Sequence, residues 1–529
     1  MRRLKILRIL LLALLVPFIV WIVITLQTPR EIVSNLEDAG TGLKIKDVEF
    51  TEFAGGVPSL YLKAASGEQD PDGTYRVEDV QRLEVSRKDA SPLVIKAGWG
   101  FVKGDAGARH GRLEGDVQVE DEDEELLLSV PIVEFSQVEG EARSLGIVTL
   151  DSPRYEGKAS AVVYGLNGQP TLLVAPEIDA ADGSTLRADR GRLLDGTRDV
   201  ELTGNIEITR HETRLRAGRT RLRRTPDGAL EQVELWEAVE GISLPSDAPF
   251  SSFEADEAEA RWNEQGDPRF LRLDGDSFVQ HGTSSLRAEH IEAQKEPAVS
   301  LISILPSIDT VAPELWAVHA NGEVRASMLL GTGPAILISH DFAMLVDGSG
   351  NPVSGEAVGE VRFKSEDTSA EAHRATFNAA SIDEQIVLHA TSRRRARMAR
   401  GKSRISAERI ATNARGTRLE ADGRVESSLL AGEGEAARGS TGLFRNDEAI
   451  HFVSEHLEGD PSTNALVFTG AVRGWQGDRN LSADRVAVDQ AEDRLDAVGS
   501  VMTRLPRVED VTRSSGDYIQ VGSERLRYR

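Results

Sequence analysis

The sequence has no cysteine in its 529 residues. Disulfides are therefore not used, and nothing in the chain needs an oxidising compartment or is damaged by one. Basic residues are outnumbered, 62 Lys and Arg against 86 Asp and Glu, for a net charge of −24. That excludes the basic face a nucleic-acid partner would want. Aromatic residues make up 5% of the chain beside 48 glycines. A compact enzyme core of this length would usually carry more large side chains, whereas a long, thin sheet structure would not need them. The nucleophile-elbow, phosphate-loop and zinc-protease motifs are missing, and no carboxylate pair stands out as catalytic. No catalytic residue, cofactor or metal site is expected. After the N-terminus no stretch sustains a helical apolar stripe over three turns; only short helical pieces near "PREIVSNLEDAG" fit such a pattern.

What is present is repetition. "LRADRGRLLDGTRDVELTGNI" (Leu186–Ile206), "ISAERIATNARGTRLEADGRV" (Ile405–Val425) and "LSADRVAVDQAEDRLDAVGSV" (Leu481–Val501) align over 21 residues without a gap. Column three is Ala188, Ala407 and Ala483, column four is Asp189, Glu408 and Asp484, and column five is Arg190, Arg409 and Arg485. Column nineteen is Gly204, Gly423 and Gly499. Self-similarity of this kind marks a repeat architecture. Val200, Leu202, Gly204, Ile206 and Ile208 alternate with polar residues, the pattern of a strand with one apolar and one wet face. In the first half of the unit the apolar phase slips between columns three and six, which a bulge would absorb. Asp195-Gly196, Arg415-Gly416 and Ala491-Glu492 fall where the chain reverses, and only the first is a strong turn dipeptide. Each unit thus reads as strand, tight turn, strand.

Looser copies fill the gaps. A glycine is followed thirteen positions later by an alanine at Gly204/Ala217, Gly275/Ala288 and Gly470/Ala483. Phe253–Asp276 is the same hairpin with a turn four residues longer, and Ala372–Ser392 is a further near-copy. Regularly spaced strands with turn signals between them indicate an all-β domain.

The N-terminus differs. "MRRLKILRILLLALLVPFIVWIVITLQTPRE" carries no charge between Arg8 and Arg30, and Ile9–Leu26 is 18 apolar or near-apolar residues, long enough to span a bilayer. Arg2, Arg3, Lys5 and Arg8 precede it, so the N-terminus is expected to be cytoplasmic. Trp21 sits near the far end as interfacial aromatics do, and no small-x-small cleavage site follows Leu26. An uncleaved, single-pass anchor is expected.

A basic-flanked anchor followed by tandem "L-x-G-x-V/I … L-x-A-D/E" hairpins resembles the periplasmic lipopolysaccharide-transport proteins LptC and LptA, with their OstA-like domain. "VELTGNIEITRHETRLRAGRTRLRRTPDG" (Val200–Gly228) and "LSADRVAVDQAEDRLDAVGSV" carry the resemblance best. The anchor and first ectodomain look like LptC and the later repeats like LptA. The chain is longer than a simple LptC, with room for one or two further OstA-like modules, as in an LptC–LptA fusion. The resemblance implies an elongated OstA-like β-jellyroll of stacked antiparallel strands, preceded by one N-terminal transmembrane helix and open along one side around a greasy trough. It also implies an inner-membrane, periplasm-facing protein without catalysis. Its ligand would be lipopolysaccharide or a related glycolipid, and its partners an inner-membrane ABC transporter and another OstA-like protein that adds a strand to its edge.

From the residues alone, an isolated hairpin cannot bury its apolar face, whereas stacked hairpins can close over a shared interior. The expected trough wall is Val200, Leu202, Ile206, Ile208, Leu419, Val425, Leu495 and Val501. The last nine residues, "VGSERLRYR", match the first nine columns of the repeat and stop before a second strand, which leaves an edge kept soluble by Arg525, Arg527 and Arg529. The expected domains are a cytoplasmic tail at 1–8, an anchor at 9–27 whose markers are Ile9, Trp21 and Leu26, an LptC-like β domain at 29–242, and OstA-like repeats at 253–529 with a break near 295–316.

Several local features carry less. "EDEDEE" (Glu120–Glu125) lacks the ligand spacing of a calcium loop and reads as a solvated hairpin tip. "SRRRARMARGKSR" (Ser392–Arg404) reads as a charged surface strand turning at Gly401 rather than a phosphate clamp. His451 and His456, five apart on a strand, should point to opposite faces and share no metal. The repeated arginines are expected in strand-end ion pairs. Two other function classes stay open: a structural envelope scaffold with a sealed core, and a carbohydrate-active β-helix enzyme, against which the hairpin turns argue.

Overall fold

In the computed structural model the described residues are 44–528, apart from short stretches at turns and the longer segments 243–249, 296–314, 431–447 and 507–517. Every element among them is a β-strand, and neighbouring strands pair antiparallel. No described helix is long and apolar enough to cross a membrane; the expected anchor, with Ile9, Trp21 and Leu26, lies outside the described residues. The chain divides into two compact units, residues 1–244 with 256–268, and residues 245–255 with 269–529.

Unit 1 opens with six long strands: β1 (Lys44–Ala54), β2 (Val57–Gln69), β3 (Tyr75–Arg87), β4 (Ala90–Lys103), β5 (His110–Asp121) and β6 (Leu126–Ser136). Eight short strands follow, in four pairs that each do the work of one long strand. They are β7 (Glu141–Leu145) with β8 (Val148–Ser152), β9 (Tyr155–Ala159) with β10 (Ala161–Gly165), β11 (Thr171–Val174) with β12 (Glu177–Ala180), and β13 (Ser184–Arg187) with β14 (Arg190–Leu193). Long strands return in β15 (Asp199–Arg210), β16 (Thr213–Arg224) and β17 (Leu230–Ile242), and β18 (Ser252–Trp262) follows, of which residues 256–262 belong to this unit.

Unit 2 has the same plan. Its long strands are β19 (Pro268–His281), β20 (Ser284–Lys295), β21 (Trp316–Leu330), β22 (Gly333–Val346), β23 (Pro352–Lys364) and β24 (Thr368–Asn378). Two split rungs come next, β25 (Ile386–His389) with β26 (Ala396–Arg400), and β27 (Ser403–Ala407) with β28 (Arg409–Thr412). The unit ends with β29 (Leu419–Leu429), β30 (Ile450–Asp460), β31 (Ala465–Gln476), β32 (Arg479–Asp489), β33 (Arg494–Pro506) and β34 (Tyr518–Tyr528). β20 and β21 pair directly, Lys295 opposite Trp316, so the ladder carries on across the interrupting segment between them.

The repeated columns explain how each rung is shaped. Register shifts fall beside the glycine column on β15, β19, β29, β31 and β33. There the glycine and the residue after it both have positive φ: Gly204 at 77° and Asn205 at 45°, Gly423 at 74° and Arg424 at 47°, Gly470 at 83° and Ala471 at 45°. Two residues on one strand face one on the next, so the rung bends. The acidic column sits over the bend. A Cβ on Gly470 would lie 2.7 Å from Glu455 Cβ, and one on Gly423 would meet Glu408 in the same way. The Asp189 N–H donates to Gly204 O at 2.9 Å, and Asn205 Nδ2 donates to Asp189 Oδ2 at 2.8 Å. The glycine is needed twice, for its φ and for the space its missing Cβ leaves. The thirteen-residue spacing is the register of the next strand: Ala217 lies opposite Ile206, Ala288 opposite Ser277 and Ala483 opposite Val472, each just past the bend.

Because the bends align from strand to strand, each unit is a creased sheet with two arms. On strands with the acidic column the inward phase slips by one residue at the crease, as at Ala483 and Val486 on β32. That is the slip between columns three and six. Outside, charged rows pair across strands. Arg221 binds Asp199 at 2.6 Å, Arg216 lies 3.4 Å from Glu240, and Arg219 pairs with Glu201. Exposed pairs of this kind contribute about 0.2–1 kcal/mol each, so the inner face has to supply most of the stability.

Gly470→Ala should therefore destabilise the protein by about 1–3 kcal/mol through backbone strain and displacement of Glu455. Gly522, on β34, has open space around its Cα and no positive φ; Gly522→Ala should change stability by less than about 1 kcal/mol. Urea unfolding of the two variants checks this, and equal midpoints would refute the role given to the crease.

Candidate functional site

The inner face of each unit carries one row of side chains along each arm. We call the arm of Leu202 in unit 1, and of Ala421 in unit 2, the A arm; the arm across the crease is the B arm. In unit 1 the B-arm row passes strand by strand through Leu62, Leu83, Ile95, Val119 and Leu128, then Leu150, Gly157, Ile178, Leu186, Ile208 and Leu215. Its first five members are at most 8% exposed. From Leu150 to Leu215 the row is only half-buried. The cause is local. On β8, β9, β12 and β13 the B arm is four or five residues long, so its inner row lies close to the rim and water reaches it.

The expected trough residues divide along these lines. Leu202 and Ile206 flank the crease of β15 and are sealed at 1% and 2% exposure, while Val200 and Ile208, near the strand ends, are half-buried. In unit 2, Leu419, Val425, Leu495 and Val501 are all buried on the inner face. Leu150, Ile178, Leu186 and Leu215 share the accessible row with Ile208 and went unnoticed in the sequence, because short strands broken at the crease show too few alternations to set a phase.

Unit 2 is more tightly closed. Its A-arm row includes Ile410, Ala421, Leu457, Phe468 and Val486, each at 0% exposure. Its B-arm row runs through Met398, Ile405, Ser427, Phe452, Gly474 and Leu481. Phe452 and Phe468 belong to opposite arms, and their rings stack with centroids 4.4 Å apart at 19°. The two inner faces are therefore in direct contact at this level. Met398, with Leu337 and Phe363 further along the same row, is half-buried.

Two sequence expectations are corrected. His451 and His456 both face outward, because the crease between them spends an extra residue and the inward positions on β30 become Phe452, Ser454 and Leu457. His451 stacks on Trp475 at 5.3 Å, and His456 Nδ1 lies 2.6 Å from Asp422 Oδ1. The repeated arginines sit beside the crease: Arg190 and Arg409 open the short strands β14 and β28, as expected of strand ends, Arg485 lies within β32, and of the three Arg409 makes the expected pairs. Arg409 lies 3.2 Å from Asp422 and 3.8 Å from Glu420. Arg190 and Arg485 stand opposite Thr203 and Val498, which offer no charge.

Glu420, Asp422 and His456 bring one potential metal ligand each within 4.8 Å of one another. Both oxygens of Asp422 are already engaged, one by His456 and one by Arg409, so a guanidinium holds the place a cation would take. The basic run Ser392–Arg404 is likewise spent on surface acids: Arg395 on Glu426 at 2.7 Å and Arg400 on Asp367 at 3.1 Å.

At the edge of unit 2, β34 pairs with β33 and is exposed along most of its length, including Tyr518, Ile519 and Val521. Of the three arginines expected there, Arg525 is exposed, Arg527 donates to Asp496 at 2.7 Å, and Arg529 lies outside the described residues. Asp496 also accepts from Arg494 at 2.9 Å.

These features define a class: an all-β repeat protein whose creased sheets enclose an apolar interior. Residues 451–528, from β30 through β34, match the family model described as LptA/(LptD N-terminal domain) LPS transport protein, which supports a role in lipopolysaccharide transport. No curated protein matches the chain.

The Arg527 hydrogen bond, helped by Arg494, holds the Asp496 carboxyl below the usual carboxylate range. A depressed native pKa gives stability that is complete above the unfolded value of about 3.9 and is lost as pH falls through the lower native value. Protection of the β34 amides should therefore persist down to about pH 4 and fall below it. In Asp496→Asn, protection should be lower at neutral pH and the acid step gone. Hydrogen exchange of β34 across this range tests the pair; an unchanged acid step in the variant would refute it.

Proposed function

We propose that this protein is a lipid conduit of the cell envelope, a transport protein rather than an enzyme. An uncleaved helix at Ile9–Leu26 holds it in the inner membrane with the bulk of the chain periplasmic. The chain takes lipopolysaccharide from an inner-membrane ABC transporter, shelters its acyl chains in the creased interior and passes them toward the outer membrane. Exposed β34 is the edge at which another OstA-like protein adds a strand, by the backbone pairing that serves β-augmentation elsewhere. In this arrangement the anchor and unit 1 act in the manner of LptC, and unit 2 in the manner of LptA.

The observation that carries this reading is the half-buried apolar row Leu150, Ile178, Leu186, Ile208 and Leu215 on the inner face of unit 1. Apolar side chains that face inward yet meet water gain from any hydrocarbon laid along them. Each methylene so buried is worth about 0.8 kcal/mol, so a few acyl chains bind without polar chemistry, and the acidic exterior does not interfere. The family match over β30–β34 agrees in chemistry. A second reading, a structural scaffold with a sealed core, draws on the near-zero exposure of the A-arm row in unit 2.

Diazirine side chains placed at Ile178 and Ile208 in living cells should yield lipid adducts, while one at outward-facing Thr149 should yield none. Lipid adducts absent from both inner positions would favour the scaffold. Ile178→Glu should lower the lipid that co-purifies and leave the sheet's circular dichroism intact. Mass spectrometry of the mature chain tests the anchor; a first residue near Gln27 would overturn it.

A further inference from the structure

Charged outward rows pair acids with arginines over much of both units, but one stretch of the outer face departs from this. Across β30 to β34 an outward row of the B arm runs through His451, Trp475, Asn480, Arg504 and Gln520, each opposite the next. Arg473 belongs to the outward row beside it. Between the crease and the strand ends these five strands carry no outward carboxylate. Glu455, Asp484 and Glu524 sit at the crease, and Asp478 lies in the turn after β31. In a chain of net charge −24, Arg473 and Arg504 are exposed and make no ion pair among the described residues. Arg504 lies instead over the Tyr518 ring, its Cζ 3.6 Å from the centroid. Trp475 is 37% exposed and stacks on His451. The exposed aromatic pair of unit 1 has another setting: Trp99, stacked on Phe101, stands between Glu78 and Glu114.

Each part of the row has a chemistry. An aromatic face is negative at its centre and accepts the weakly positive C–H face of a sugar ring. A guanidinium resting on a ring keeps its N–H edge for a phosphate, which it binds through two parallel hydrogen bonds. An amide such as Asn480 both donates and accepts, as a hydroxyl requires. The row crosses five strands spaced about 4.8 Å apart, so it is roughly 19 Å long, longer than a single hexose. We propose that this face binds a phosphorylated saccharide. Trp475 covers the sugar ring, Arg504 and Arg473 hold phosphate oxygens, and Asn480 takes a hydroxyl. The same strands turn Gly474, Leu481 and Thr503 to the interior. A glycolipid sheltered by unit 2 therefore has only to fold over the strand ends to lay its head on the row, and for that source the site rests on the conduit function proposed above. A free sugar phosphate binds by the same contacts.

Saturation-transfer NMR on the full-length protein in detergent micelles tests the site, with glucose 1-phosphate and glucose as probes. Transfer to the phosphorylated sugar should exceed transfer to glucose several-fold. Trp475→Ala and Arg504→Gln should each lower it several-fold and Arg473→Gln by less, while Trp99→Ala should leave it unchanged; thermal melts report that the variants fold. Absence of transfer, equal transfer to the two probes, or unchanged transfer in Trp475→Ala and Arg504→Gln would overturn the proposal. A diazirine side chain at Ser482, which makes none of the proposed contacts, identifies the source in living cells. Lipopolysaccharide adducts there point to the head of a carried lipid, and water-soluble sugar phosphates to a free ligand. Protein adducts alone, without transfer to the probe, would replace the site with a protein interface. Transfer retained while Ile178 and Ile208 yield no lipid adduct would remove the conduit function and leave the saccharide site standing.

Discussion

The constraint on which the structure depends is the bend in each rung. Two successive residues with positive φ are costly for L-amino acids, about 1–2 kcal/mol for each that carries a side chain. The chain meets that cost by placing glycine at the tighter position, by laying a carboxylate over its bare Cα, and by letting Asn205, Arg424, Ala471 and their counterparts follow in an exposed turn. One bent strand would be a local curiosity. Bends held in register turn a flat sheet into a trough, because each strand then contributes inward side chains to both arms. Where the long strand breaks altogether, as between Arg187 and Arg190 or between Ala407 and Arg409, the break falls at the same crease. The split rungs are extreme cases of the same bend.

Much of this was legible in the sequence. The glycine, acidic and alanine columns are the crease, the residue over it and the small side chain just past it, and their spacing is the register of neighbouring strands. The phase slip between Ala188 and Gly191 was visible as a departure from alternation. What the sequence did not disclose is what depends on the opposite strand. Whether Arg409 or Arg485 finds an acid is decided by Asp422 or Val498 across the ladder. Simple alternation failed for His451 and His456 because the crease between them adds a residue. That Leu202, Ile206 and Ile208 share one face was readable from their alternation. Their exposure was not, because it follows from how far each arm extends beyond them.

The exterior and interior divide the work cleanly. Outside, arginines and acids sit in alternate rows and neutralise one another at distances near 3 Å, so a chain of net charge −24 can stack many strands without strong repulsion between neighbours. The arrangement repeats: Asp274 binds His290 at 2.5 Å and Arg272 at 3.0 Å, as Asp422 binds His456 and Arg409. Each such aspartate bridges an arginine and a histidine beside the crease and covers its outer side. Inside, almost nothing is charged. The interior is apolar because most polar groups of the sheet are turned outward or tied into the ladder, buried hydroxyls such as those of Thr220, Ser277 and Ser427 being exceptions.

Under the proposed function, an interior that holds lipid and also survives empty faces opposing demands. Left open, its apolar rows would meet water and favour association with other sheets. Sealed throughout, it would be an ordinary core that admits nothing. The two units meet these demands differently. Unit 1 leaves a short half-buried row where the B arm is cut back, while unit 2 closes arm on arm. Closure of this kind is cheap to reverse when the entering molecule is itself hydrocarbon, because each ring contact given up is replaced by a contact with methylene groups of similar size. The same exchange with water would cost roughly 25 cal/mol for every Å² of apolar surface exposed. Under that proposal the interior opens to acyl chains and stays shut to water, with the discrimination lying in the hydrophobic effect itself rather than in any single residue.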